Sequence, residues 1–133
     1  MLTAVRDVRV RRQAVVVAQL TASLVEYSED AIIGGTIEGF ITSWNPAAAR
    51  MYGYSSEEII GQPVRFLTPV DRAEEIEKVL EKIRARRPVE RFETRRVRKD
   101  GAKFPAFLTV SAIRDADGAV VGTSVICREL NGR

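Results

Sequence analysis

The chain has 133 residues, 21 Lys and Arg against 18 Asp and Glu, 45% hydrophobic and 29% charged residues, one cysteine and no histidine. That length holds one domain, the composition is that of a folded globular protein, and a formal charge of +3 lacks the concentrated basic character of most nucleic-acid binders. The absence of histidine removes the usual imidazole metal sets, the Ser-His and Cys-His nucleophile pairs and the usual proximal haem ligand, and a single Cys127 excludes an internal disulfide.

Residues 2–27 read as a helix. Val5, Val8, Val15, Leu20 and Leu24 recur near helical spacing, no Gly or Pro interrupts residues 1–33, and Ser28, Glu29 and Asp30 mark a break. Residues 14–17 are apolar nearly all round, so one face is expected to meet the domain and another a second copy of the chain; the alternative is a helix that only caps its own domain. Arg6, Arg9, Arg11 and Arg12 are unaccompanied by the large aromatics of an interfacial membrane helix.

Two β-branched runs follow, "AIIGGTI" and "FITSW", joined by Glu38-Gly39, a pair suited to a tight hairpin turn. Asn45 is placed to cap a helix that Pro46 starts, that Ala47, Ala48 and Ala49 propagate and that Gly53 breaks. Ser55 and Glu58 have capping-box spacing for a second short helix ending at Gly61. Residues 71–87 predict a longer helix opened by Asp71, with Ala73, Ile76, Val79, Leu80 and Ile83 at helical spacing, Arg84, Arg86 and Arg87 in its last turn, and Pro88 as its stop. Three long strands then follow, broken by Asp100-Gly101 and by residues 115–118, giving the order β-β-α-α-α-β-β-β.

The paired acids give no catalytic dyad: Glu57-Glu58 and Glu74-Glu75 are neighbours that do not face each other on a helix, and both pairs sit where a helix start favours acids. The basic run "RRVRK" at 95–99 is split by strand alternation between two faces and reads as a solvated edge. No enzyme, no nucleic-acid partner and no membrane insertion are expected. With no signal-peptide pattern and no apolar run near the roughly 20 residues of a membrane span, the expected location is cytoplasmic.

In order, "AII", "EGFITSWNPAAARMYGYSSEEIIG", "RRVRKDGAKFPAFLTVSAIRD" and "GAVVGTSVICREL" resemble a PAS domain over roughly residues 22–130. The resemblance implies an α+β fold, a five-stranded antiparallel sheet with short helices and one longer helix on one face, plus the N-terminal helix. Its implied division is residues 1–27 as that amphipathic helix, 28–130 as the PAS domain and 131–133 as a tail or the start of a linker. It also implies a sensory and dimerisation module of a signalling protein, such as a two-component system, acting on an effector domain or a partner. The alternative is a flavin or haem redox or light sensor.

Against that alternative, "GQPVRFL" is similar to the flavin-binding blue-light pattern G-x-N-C-R-F-L-Q, with Pro63 for Asn, Val64 for the reactive Cys and Thr68 for Gln. Ala106 and Ser124 stand at two further positions where the resemblance implies flavin-facing amides. A valine forms no thiol adduct, and an isoalloxazine edge without partners costs roughly 1–3 kcal/mol per group, so photoactive flavin is disfavoured, as is His-ligated haem. No cofactor is firmly expected. A small apolar ligand such as a fatty acid remains, or a core filled by its own side chains.

The expected layer between sheet and helices comprises Ile33, Ile41, Met51, Ile60, Val64, Phe66, Leu67, Leu108, Val110 and Ile126, with Ala106 and Ser124 in its floor and Trp44 and Tyr52 at its rim. The two helices after the first hairpin are expected to form its lid. If Ala106, Leu108 and Val110 point inward, Phe107 points outward; with Val125 and Cys127 it is expected to form a patch that Val8, Val15, Leu20 and Leu24 bury across a homodimer.

Overall fold

The computed structural model describes residues 28–85 and 89–130. The expected helix over 2–27, with Val8, Val15, Leu20 and Leu24, lies outside the described residues, as do Arg86, Arg87, Pro88 and residues 131–133.

The first hairpin forms where the β-branched runs place it, as β1 (Ala31–Gly35) and β2 (Ile41–Trp44). Asn45 then stops the strand and starts a helix: its side-chain oxygen accepts from the Ala48 amide at 2.9 Å, and Pro46 occupies a first-turn position that needs no donor. The same oxygen accepts from the Ile32 amide at 2.9 Å, so one side chain both caps α1 (Pro46–Tyr52) and fastens it to β1. Gly53 ends α1 in the left-handed region, φ 85°, returning its amide to Ala49.

Ser55 and Glu58 close the expected capping box around α2 (Ser56–Ile59). Two single 3-10 turns follow, at Val64–Leu67 and Val70–Arg72. The long helix is α3 (Ala73–Arg84), shorter than the 71–87 expected. Asp71 does not cap it: the tight turn that begins after Pro69 closes through the Arg72 amide onto the Pro69 carbonyl at 2.9 Å, and Asp71 sits exposed within that turn.

β3 (Val89–Val97), β4 (Lys103–Arg114) and β5 (Val120–Glu129) complete an antiparallel sheet ordered β2-β1-β5-β4-β3. Strand β4 alternates cleanly, with Phe104, Ala106, Leu108 and Val110 buried and Pro105, Phe107 and Thr109 half-buried. Its inward residues meet Tyr52, Ile59, Leu67 and Ile83, which the helices and turns bring down onto the same face of the sheet.

The face of β5 is the reverse of the expected one. Leu108 pairs with Cys127 and Val110 with Val125, so Cys127 and Val125 point inward beside Thr123. Ser124 and Ile126 lie on the outer face, opposite Ser111 and Thr109. Alternation fixes only which residues share a face; the pairing with β4 decides which face it is.

Candidate functional site

Between sheet and helices lies a cavity of about 70 Å³. Its sheet side is built from Ile33 on β1, Ile41 on β2, Leu108 and Val110 on β4, Phe92 on β3, and Thr123 and Val125 on β5. Opposite them stand Tyr52 at the end of α1, Val64 and Leu67 of the first 3-10 turn, and Ile76, Val79 and Leu80 of α3. Gly34 and Gly35 contribute backbone alone; a side chain on Gly35 would meet the Thr123 hydroxyl at 3.1 Å. At the mouth Gly39 of the hairpin turn approaches both α3 and the 3-10 turn, about one van der Waals layer from Leu80 and Val64.

Of the residues expected in this layer, Ile33, Ile41, Tyr52, Val64, Leu67, Leu108 and Val110 line the cavity. Trp44 and Met51 pack against the core without lining it, the Trp44 indole donating to the Tyr54 carbonyl at 2.9 Å, and Ala106 is buried beneath. Ile60, Phe66 and Ile126 are 45%, 44% and 40% exposed, and Ser124 is on the outer face. Ile60 and Phe66 sit in elements of about one turn, too short for a periodic face, and their neighbours Ile59 and Leu67 are the ones buried. The expected lid is likewise mostly α3 and the 3-10 turn; α1 supplies Tyr52 alone and α2 no lining residue. Of the expected outward patch, Phe107 is on the outer face, and Val125 and Cys127 are not.

Several contributors went unmarked in the sequence as site residues, among them Thr123, Phe92, the glycine pair, Ile76, Val79 and Leu80 of α3, and Arg96. Arg96 is the surprise, since "RRVRK" reads as a solvated edge. Its neighbour Arg95 is exposed, but Arg96 pairs with Phe104 on the inward face of β3 and is only 7% exposed. It is the one charged residue lining the cavity among the described residues. Its Nη2 lies 2.8 Å from Glu75 Oε1 on α3, and its Nη1 donates to the Arg95 carbonyl at 2.8 Å. The Thr94 hydroxyl donates to Glu75 Oε2, and the more exposed Arg72 stands 3.7 Å from that same oxygen. The contact of Arg96 with Oε1 is not aligned as a hydrogen bond, and no other donor reaches that oxygen among the described residues.

A second polar pair lies in the core, reached from the cavity through Tyr52. The Tyr52 hydroxyl and the Cys127 thiol are 3.3 Å apart, both groups fully buried. Burial, and then Cys127, push the Tyr52 hydroxyl well above its ordinary range, and burial pushes the Cys127 thiol up although the Tyr52 hydrogen bond opposes it. Both stay protonated at neutral pH, which makes Cys127 a poor nucleophile. Tyr52 also packs against Trp44, ring centres 5.5 Å apart, and edge-on against Phe104 at 5.4 Å. Over the Phe104 ring lies Arg98, 4.2 Å from the ring centre, donating to the Met51 carbonyl and pairing with Glu129 at 2.8 Å.

A second, shallower hollow beside Arg50, Gly53, Arg98 and Lys99 has two of its three cations already engaged, Arg98 with Glu129 at 2.8 Å and Lys99 with Glu58 at 2.7 Å. No group of three or more potential metal ligands occurs among the described residues, and none of their helices is long and apolar enough to cross a membrane.

The PAS domain family model matches residues 29–131. Among solved structures, the PAS domain of a protein from Colwellia psychrerythraea is similar at 30% identity and a TM-score of 0.81, covering 88% of this chain and 99% of that one. A domain of a sensory box sensor histidine kinase/response regulator from Geobacter sulfurreducens is similar at 20% identity and a TM-score of 0.72, over 84% of this chain and 93% of that one. The Rhodobacter sphaeroides LOV protein gives the same identity and TM-score over 84% of this chain, which spans 65% of its length. These last two likenesses are of fold alone. No curated protein sequence matches the chain.

Proposed function

The chain belongs to the PAS domain family, a family of sensory signalling modules, and from that premise we propose that it works by binding a small apolar molecule in the cavity behind α3 and passing the event to an effector. The observation that carries this is the cavity itself: apolar on nearly every side, with a few polar groups at fixed points, in the form ligand sites usually take. Its volume favours a small occupant, since about 70 Å³ is far below the roughly 300–1,000 Å³ of drug-sized pockets. A flavin fits this reading poorly, because Val64 brings an isopropyl group to the wall and Ser124 turns away from it. The role is binding and relay without catalysis; the protonated Tyr52 hydroxyl and Cys127 thiol of the core supply neither a base nor an activated nucleophile.

The second half of the proposal is a homodimer through the outer face of the sheet. There Ile126 pairs with Ile32 across β5 and β1, and Phe107 lies on the neighbouring strand. These three take the place of the patch expected from Phe107, Val125 and Cys127.

The deciding experiment is native mass spectrometry of the purified chain, followed by denaturing extraction and small-molecule analysis. One small molecule released per chain supports a ligand sensor. A chain of bare mass, indifferent to a library of small apolar compounds, would overturn that reading and leave a relay module.

A further inference from the structure

We propose that Arg96 recognises the head of a small monocarboxylate with an apolar body, and that this carboxylate takes the place of Glu75 against the guanidinium, loosening the first turn of α3. The proposal rests on the cavity being a ligand site and goes beyond it in naming the ligand's charge and the element that responds.

A guanidinium lining an apolar cavity is costly to leave without an acceptor, and an anion is the acceptor that best offsets its burial. The partner it has is badly matched. Glu75 Oε1 comes within 2.8 Å of Nη2 but accepts no hydrogen bond, and Oε2 is committed to Thr94. A free carboxylate is not tethered to a helix backbone and can align with the planar fork of the arginine, the geometry in which these groups bind most strongly. The exchange swaps one negative charge for another, so the buried guanidinium stays neutralised throughout.

The displaced Glu75 is not stranded. Arg72 already stands 3.7 Å from its Oε2 on the more exposed side, one helical turn earlier, and can accept the charge as it swings outward. The cavity volume limits the guest to on the order of four to six non-hydrogen atoms if nothing else moves.

The exchange is directional. α3 is held at its first turn by Glu75 on Arg96 and Thr94, just before it by Arg72 donating to the Thr94 hydroxyl at 3.2 Å, and near its end by Arg84 donating to the Ile37 carbonyl at 2.6 Å and by Lys82 paired with Glu90 at 3.2 Å. Replacing Glu75 undoes the first attachment alone, so the first turn of α3 is loosened while Arg72 keeps its hold on Thr94. The apolar body of the guest meets Ile76 and Val79 on the same helix, so one molecule both removes the tie and fills the space behind it.

The test is titration of the full chain with sodium butanoate and, separately, with neutral butanamide, followed by calorimetry and by amide chemical shifts. Saturable butanoate binding at least about tenfold tighter than butanamide, with shifts concentrated at residues 73–76 and 94–96, is expected. Glu75→Gln removes the competing charge, leaves the guanidinium in place, and is expected to tighten butanoate by about tenfold; a merely structural Glu75 gives no such gain. Arg96→Gln is expected to abolish the preference for the acid, and because that variant places its fold at risk, Glu75→Gln carries the decision. Equal binding of the two probes, no response to either, or no tightening in Glu75→Gln overturns the carboxylate assignment. None of these results bears on whether extraction releases a neutral guest, which decides the sensory reading separately.

Discussion

The Tyr52 hydroxyl and the Cys127 thiol stand 3.3 Å apart in the buried core, joining the last residue of α1 to the inward face of β5. Both groups titrate higher in the folded chain than free in water, so the native state holds these protons more tightly than the unfolded state does. The stability they contribute is complete below the ordinary values of 9.0 for the thiol and 10.0 for the phenol, and is lost as the pH rises through their raised values. Thermal melts should be flat around neutral pH and fall in the alkaline range. Tyr52→Phe should shallow that alkaline slope; an unchanged slope in this variant would assign the loss to other groups.

Asn45 is a costly polar side chain to remove. Its oxygen serves both the Ala48 and the Ile32 amides, and its nitrogen donates to the Asp30 carbonyl at 3.0 Å, all at a buried position. Asn45→Ala should lower unfolding stability by about 2–4 kcal/mol, the loss of a cap together with buried donors left unmet. Asn45→Asp keeps the acceptors but brings a carboxylate against the Asp30 carbonyl, and should fall between the two in urea denaturation.

A glycine on each of the paired strands β1 and β5, Gly35 and Gly122, brings their backbones close together. A methyl group on Gly122 would lie 2.8 Å from the Gly35 carbonyl oxygen, a backbone atom that cannot step aside. Gly122→Ala should therefore cost about 2 kcal/mol or more. At Gly34 the obstacle is the Ser43 hydroxyl, a side-chain end able to rotate, so Gly34→Ala should cost less. Equal losses in the two variants would show that strand separation is not what matters.

Thr68 is buried, and its hydroxyl has no partner among the described residues. Replacing an unmet buried hydroxyl by a methyl of the same shape removes a desolvation penalty, so Thr68→Val should raise the melting temperature, by about 1 kcal/mol in stability. A fall would mean that the hydroxyl is used.

For the proposed dimer, Phe107→Asp places a charge at the centre of the outer face without touching the cavity. Light scattering should report halved mass, with melting little changed. A mass equal to that of the parent chain would remove this face from the interface.

The local order of the fold was legible because its signals are local. Asn45-Pro46, the Ser55 and Glu58 box and the turn glycines each act within four residues, and the structure uses every one of them. Asp71 failed as a cap because Pro69 starts a tight turn before the helix can begin. The inward side of β5 was not legible, since Leu108 and Cys127 are 19 positions apart in sequence and only their pairing fixes the face. Arg96 was hidden for the same reason. Within its own strand it is one basic residue among four in "RRVRK", and its burial makes sense only beside Glu75, which arrives on a helix from the other side of the cavity.

β1 and β5, the first and last strands, lie side by side in the sheet, and their outer ends are clasped by Arg128 on Asp30, at 3.3 and 3.2 Å. The chain thus enters and leaves the domain through one doorway, as two neighbours about 5 Å apart. Asp30 and Arg128 stand as an adjacent pair at that doorway, so a twist of the sheet moves both at once. A unit wired in this way can be threaded between other units, like a bead with both holes on one side, without rerouting the string.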